Sequence, residues 1–222
     1  MAVNIQQNRD FVKSSVTANY KVTFKKKNKS LDIRFYAGKF LDNKNLSNGN
    51  YYFNSSGATG THDYMYDNVF LGRSESTQFL SQQFAETEGN MKVYTLLGQT
   101  RDWMSALNLN CSLPGKIPFS LFADFSTFST DSMTNVGVKK QYLLYDFGLH
   151  FSIIKNVIDV YVPLLMSSDI KNTFYANNAN LVPVNKIGDA DPSPVKRTVR
   201  MIRFTFNIQK MNPFQLVKNL SL

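Results

Sequence analysis

Between Phe11 and Lys25 the chain changes character at every residue. Even positions read Val12, Ser14, Val16, Ala18, Tyr20, Val22 and Phe24, and odd positions read Lys13, Ser15, Thr17, Asn19, Lys21, Thr23 and Lys25. A period of two belongs to a β-strand with one dry and one wet face, and no 3.6-residue helical period fits it. The same alternation recurs in six further stretches. Leu31, Ile33, Phe35 and Ala37 interleave with Asp32, Arg34, Tyr36 and Gly38. Trp103, Leu107, Leu109, Cys111 and Leu113 interleave with Met104, Ala106, Asn108, Asn110 and Ser112. Ile117 to Phe125, Leu143 to Ile153, Ile158 to Leu164 and Ile202 to Ile208 repeat the pattern.

These seven expected strands are mostly longer than the ~5–6 residues usual in soluble proteins. They match the ~9–11 residues that a tilted strand needs to cross a bilayer. Their connections are unequal. Lys26–Ser30, Pro114-Gly115 and Ile154–Asn156 are tight, whereas 42–62, 127–138 and 168–197 are long and polar. Short turns on one rim and long loops on the other are the mark of an outer-membrane barrel. The fold class expected is therefore all-β, an antiparallel up-and-down transmembrane β-barrel with short periplasmic turns and long outer loops. The stretch 42–100 is ambiguous. It holds either two more strands, near 62–72 and 83–95, or a folded loop. Helical periodicity is not convincing anywhere.

If the short turns face the periplasm, the strands at 198–209 and at 11–25 both descend, so the strand count is expected to be odd, seven or nine. Bacterial single-chain barrels usually have even numbers, so a strand is expected to be missing upstream. The first residues, Met1-Ala2-Val3-Asn4-Ile5-Gln6-Gln7, have no basic region followed by an apolar core and do not read as a signal peptide. Residues 1–222 are accordingly expected to form one barrel segment of a longer protein, with a tail over 210–222.

Composition narrows the classes further. With 43% hydrophobic and 18% charged residues, the chain has the apolar content that disordered chains lack. Its 18 Phe and 11 Tyr favour strands and suit membrane–water boundaries. The net charge is +9, but the lysines scatter through turns such as Lys25, Lys26, Lys27 and Lys29, without the aromatic interleaving of an RNA-binding surface. No nucleic-acid partner is expected. A single cysteine, Cys111, excludes an internal disulfide.

Alternation alone does not say whether the dry face meets lipid or a second sheet. Strand length and loop asymmetry favour lipid, which makes Phe147, Val160, Val162, Phe204 and Phe206 the expected lipid-facing residues. Trp103, Phe128, Tyr142 and Phe204 are candidates for aromatic girdles. The rival is a soluble antiparallel β-sandwich that binds a partner through its long polar loops.

The wet face carries Asp124, Asp146, His150, Asp159 and Arg203. These residues are expected to form a charged network filling a narrow lumen. A carboxylate beside a histidine, as in Asp146 and His150, could instead do acid–base chemistry, though no nucleophile accompanies them. His62 and His150 are the only histidines, so His-Glu-x-x-His is absent and no metal site is expected here. The segment Gly188-Asp189-Ala190-Asp191-Pro192 lacks the closing Glu of a calcium loop. Tyr51-Tyr52-Phe53 with Tyr64 and Tyr66 could form a recognition surface.

Two resemblances add to this. Arg203-Phe204-Thr205-Phe206 resembles the C-terminal signal by which outer-membrane barrels are recognised for insertion, although Lys210–Leu222 follow it. Several stretches resemble the C-terminal region of large Gram-negative gluzincin (aminopeptidase N-like) zinc metallopeptidases. They are Asp63-Tyr64-Met65-Tyr66-Asp67 with Phe70-Leu71-Gly72-Arg73, Asp102-Trp103-Met104-Ser105-Ala106-Leu107-Asn108-Leu109, Tyr145-Asp146-Phe147-Gly148-Leu149 and Asp159-Val160-Tyr161-Val162-Pro163-Leu164. Pro118-Phe119, Leu121-Phe122-Ala123-Asp124 and Ile202 to Ile208 resemble it as well. The resemblance implies a non-catalytic barrel that anchors an upstream peptidase domain, with zinc confined to that domain. The implied partners are outer-membrane lipid, the barrel-insertion machinery and the remainder of the parent polypeptide. None of that family's zinc ligands or its catalytic Glu has a counterpart here.

Overall fold

A computed structural model describes residues 1–25, 29–44, 51–57, 79–95, 97–113, 119–129, 142–154, 157–177 and 201–207. The expected strand near 62–72, the turn at 114–115, Tyr64, Tyr66, the 188–192 loop and the 210–222 tail lie outside these residues. The described strands form one eight-stranded sheet in which each pairs antiparallel with its sequence neighbour. They are β1 (Ala2–Gln7), β2 (Phe11–Thr23), β3 (Ser30–Asn43), β4 (Trp103–Ser112), β5 (Phe119–Phe128), β6 (Tyr142–Ile154), β7 (Ile158–Met166) and β8 (Arg203–Phe206).

All seven expected strands are present. A strand not expected from the sequence, β1, makes the described total eight. Ala2–Gln7 offers only Val3 and Ile5 as alternating apolar residues, too short a pattern to stand alone. It becomes a strand by pairing Ala2 with Thr17 through Gln7 with Val12. The expected absence of helix is corrected. Ser168–Asn177 forms α1 in the β7–β8 connection, with Asp169 in the first turn, where the helix dipole favours an acid. Ile170 carries it, fully buried against the Phe11, Phe40 and Phe128 cluster.

Burial follows the period of two, with the polar side enclosed. Along β5, Phe122, Asp124, Ser126 and Phe128 are buried, and the alternate residues are not. Along β6, Leu144, Asp146 and Gly148 are buried between the exposed Leu143 and Tyr145 and the half-buried Phe147. The expected wet face is thus the covered one. Its cover is the β3–β4 connection, of which 51–57, 83–95 and 97–100 lie against the sheet. Gln83–Thr95, one of the two possible extra strands, takes the folded-loop alternative.

Contacts made by this connection require a curved sheet. Gln83 forms a parallel bridge with Phe204 on the edge of β8 away from β7. In a flat sheet that edge position lies six strand spacings, about 29 Å, from β3. Yet the carbonyls of Thr87 and Glu88 each accept a hydrogen bond from Arg34 of β3 at 2.8 Å. Four extended residues span only about 14 Å, and one arginine side chain does not bridge the remainder. The sheet therefore bends, with its polar face concave. No ladder joins β1 to β8 among the described residues.

Candidate functional site: the polar lining of the concave face

Register places four polar side chains in one row across adjacent strands. Arg34 of β3 pairs with Asn108 of β4, Asn108 with Asp124 of β5, and Asp124 with Asp146 of β6. Cross-strand partners share a face, with Cβ atoms ~4.5–5.5 Å apart. Hydrogen bonds join its first three members. Arg34 Nη1 donates to Asn108 Oδ1 at 2.9 Å, and Asn108 Nδ2 donates to Asp124 Oδ1 at 2.9 Å. Asp124 and Asp146 are 1% and 0% exposed. Neighbouring buried carboxylates repel and demand compensation.

The connection supplies that compensation. The Lys92 ammonium lies 3.7 Å from Asp124 Oδ2 and also donates to Asn90 O at 2.8 Å. The backbone N–H of Lys92 donates to Asp124 at 3.2 Å, and that of Val93 to Asp146 at 3.0 Å. The same ammonium sits over the Phe84 and Tyr161 rings at 5.6 and 5.3 Å, within cation–π range.

Further pins run from the connection to the other strands. Glu88 pairs with Lys13 of β2 and accepts the backbone N–H of Asn54 at 2.6 Å. Asn108 also donates to Gly89 O at 3.0 Å. Ser55 and Ser126 hydroxyls meet at 2.8 Å. Arg203 of β8 is buried and stacks its guanidinium 5.6 Å from the Tyr94 ring centre. Burial pushes the Tyr94 phenol above its ordinary range, and Arg203 opposes that shift. Two glycines permit this fit. Gly98 has φ +80°, and a Cβ there would meet Ser55 Oγ at 2.0 Å. A Cβ on Gly148 would meet Val162 O at 2.1 Å and the Phe122 ring at 2.7 Å.

His150 and Asp159 form a separate group nearer the short-turn rim. His150 Nε2 is 3.1 Å from Asp159 Oδ1, and its Nδ1 is 3.1 Å from the Asn110 side-chain nitrogen. The imidazole stacks on Tyr161, with centroids 4.5 Å apart and planes 8° from parallel. Asp146 and His150 share a face but are four strand residues apart, about 13 Å. That separation is too great for direct proton transfer. Among the described residues, no cluster of three or more His, Cys, Asp or Glu side chains could hold a metal ion.

The five residues singled out on the wet face all lie on the concave side, divided into three groups. Asp124 and Asp146 share the central row, His150 and Asp159 pair below it, and Arg203 meets Tyr94. Lys13, Arg34, Lys92, Asn108, Asn110 and Glu88 complete these groups and were not singled out. Arg34, Asn108 and Asn110 carried a usable signal, since they occupy polar positions of alternating strands. Lys92 and Glu88 carried none, because nothing local shows where a loop residue lands.

On the convex side, Phe147, Val160, Val162 and Phe206 are half-buried. Two expectations need correction. Phe204 shares the Val160 face by register, yet it is only 6% exposed, with Gln83 bridged to its backbone at the strand edge. Phe128 is no girdle residue. It stands two and four places from Ser126 and Asp124, so it points to the concave side and is fully buried in the aromatic cluster. No protein-family model matches the chain, and no curated protein or solved structure matches it.

Proposed function

We propose that the chain is a segment of an outer-membrane β-barrel, a membrane anchor without a catalytic centre of its own, whose convex face meets lipid. One observation carries this reading: burial is inverted relative to a water-soluble sheet. Asp124, Asp146 and Arg203 are enclosed, while Leu143, Ile153 and Leu165 are 60%, 66% and 66% exposed. Phe35, Leu121, Tyr145 and Leu164 extend the exposed apolar surface across β3, β5, β6 and β7. In water so much contiguous apolar area invites association. In a bilayer it is the required surface, and polar groups turn inward. Strands β2 to β7 are 9 to 14 residues long, which suits the ~9–11 that a crossing needs. An even count also makes β1 and β8 run in opposite directions, as an antiparallel closure requires.

Attachment to an upstream metallopeptidase rests on sequence resemblance alone. It is tested by whether the full-length protein contains a His-Glu-x-x-His domain. The membrane reading is tested with Val160→Arg and Leu121→Arg, each carrying a charge on the convex face. Both variants should fail to assemble into lipid vesicles where the parent chain assembles. A parent chain that stays folded and monomeric in detergent-free buffer contradicts the reading and returns the chain to the soluble-sandwich class.

A further inference from the structure

We infer that residues 51–57, 83–95 and 97–100 form a resident plug that seals the concave side, so the protein blocks ion flow until contacts of this segment are released. The inference rests on the membrane reading above and extends it to the state of the lumen.

The segment is fastened to β2 through β8 in turn. Glu88 holds Lys13 of β2, and the Thr87 and Glu88 carbonyls hold Arg34 of β3. Gly89 O accepts from Asn108 of β4, and Lys92 and Ser55 meet Asp124 and Ser126 of β5. Val93 N–H binds Asp146 of β6, Phe84 meets Tyr161 of β7 edge to face, and Phe84 N–H donates to Phe204 O of β8 at 2.9 Å. A loop resting on a rim would touch strand ends. This one reaches the middle of the wall, at the level of the Arg34–Asn108–Asp124–Asp146 row.

It is also dry. Phe53, Met91 and Val93 are at most 1% exposed and pack with Met104, Phe128 and Leu144 from the wall. The two pieces interlock, since a Cβ on Gly57 would lie 2.2 Å from Ala85 O and one on Gly89 2.5 Å from the Ser55 backbone. A hydrated ion finds no path through groups packed this closely. Glu88 is the keystone, because its carboxylate joins Lys13 to the Asn54 backbone and its carbonyl binds Arg34.

Potassium chloride current across a planar bilayer tests the plug, with protease protection in vesicles reporting insertion separately. The full chain should insert and stay silent. Glu88→Gln combined with Arg34→Ala should insert and open, with occupancy of the conducting state raised about 100-fold, as expected when a partly buried ion pair loses a partner. Adding Ser55→Cys and Ser126→Cys, with Cys111→Ser, should restore silence when oxidised and lose it on reduction. A parent chain that conducts steadily overturns the plug, as does steady conduction by the oxidised chain carrying Ser55→Cys and Ser126→Cys. Release variants that insert but stay silent overturn it as well. A parent chain that never inserts defeats the membrane reading, and the plug falls with it.

Discussion

The two faces of this sheet are built from the same strands and obey opposite rules. On the concave face of β5, Asp124 is 1% exposed; three residues back on the convex face, Leu121 is 45% exposed. In a protein surrounded by water the aliphatic side chain would be enclosed and the carboxylate wet. The difference teaches that partners, rather than polarity, decide which groups are enclosed here. The concave side offers Lys92, Asn108 and backbone N–H groups to its carboxylates. The convex side leaves Leu121, Leu143, Ile153 and Leu165 exposed.

The concave half of the comparison is the more fragile. Lys92→Ala removes the cation beside Asp124 and the neighbouring Asp146, and should cost about 3–5 kcal/mol. Urea unfolding of the lipid-reconstituted protein measures it, and a loss below 1 kcal/mol would mean the row needs no cation. On the convex side, Leu121→Arg should cost about 2–4 kcal/mol if hydrocarbon surrounds the residue. An exposed surface position in water would change stability by under ~0.5 kcal/mol, so this variant separates the two environments most sharply. Ser126→Ala leaves Ser55 Oγ with a single 3.4 Å contact to Gly98 O and should cost about 1–2 kcal/mol. Replacing both serines should recover part of that loss. The smallest effect belongs to Lys21→Ala. Its pair with Asp32 is 63% and 43% exposed, and its removal should cost about 0–1 kcal/mol, less as salt is added.

Much of the fold was legible in residue order. Seven strands followed from alternation, since side chains of a strand leave its two sides by local geometry. The grouping of Asp124, Asp146, His150, Asp159 and Arg203 on one face followed for the same reason. Phe128 lies near a strand end, where a girdle residue would sit, but its even spacing from Asp124 puts it on the concave side. The site's partners were less legible. Glu88 meets Lys13 across 75 positions of sequence, and Val93 meets Asp146 across 53. Neither pairing has a local signature.

Residue order by itself settled where strands run and which side chains share a side, because both depend on φ and ψ repeating every two residues. It did not settle which side would be enclosed, since an alternating pattern reads the same whichever face is covered. That depended on where the β3–β4 connection travels. Its path is set by buried charge neutralisation and aromatic packing between segments far apart in the chain, interactions that exist only once the sheet has curved around it.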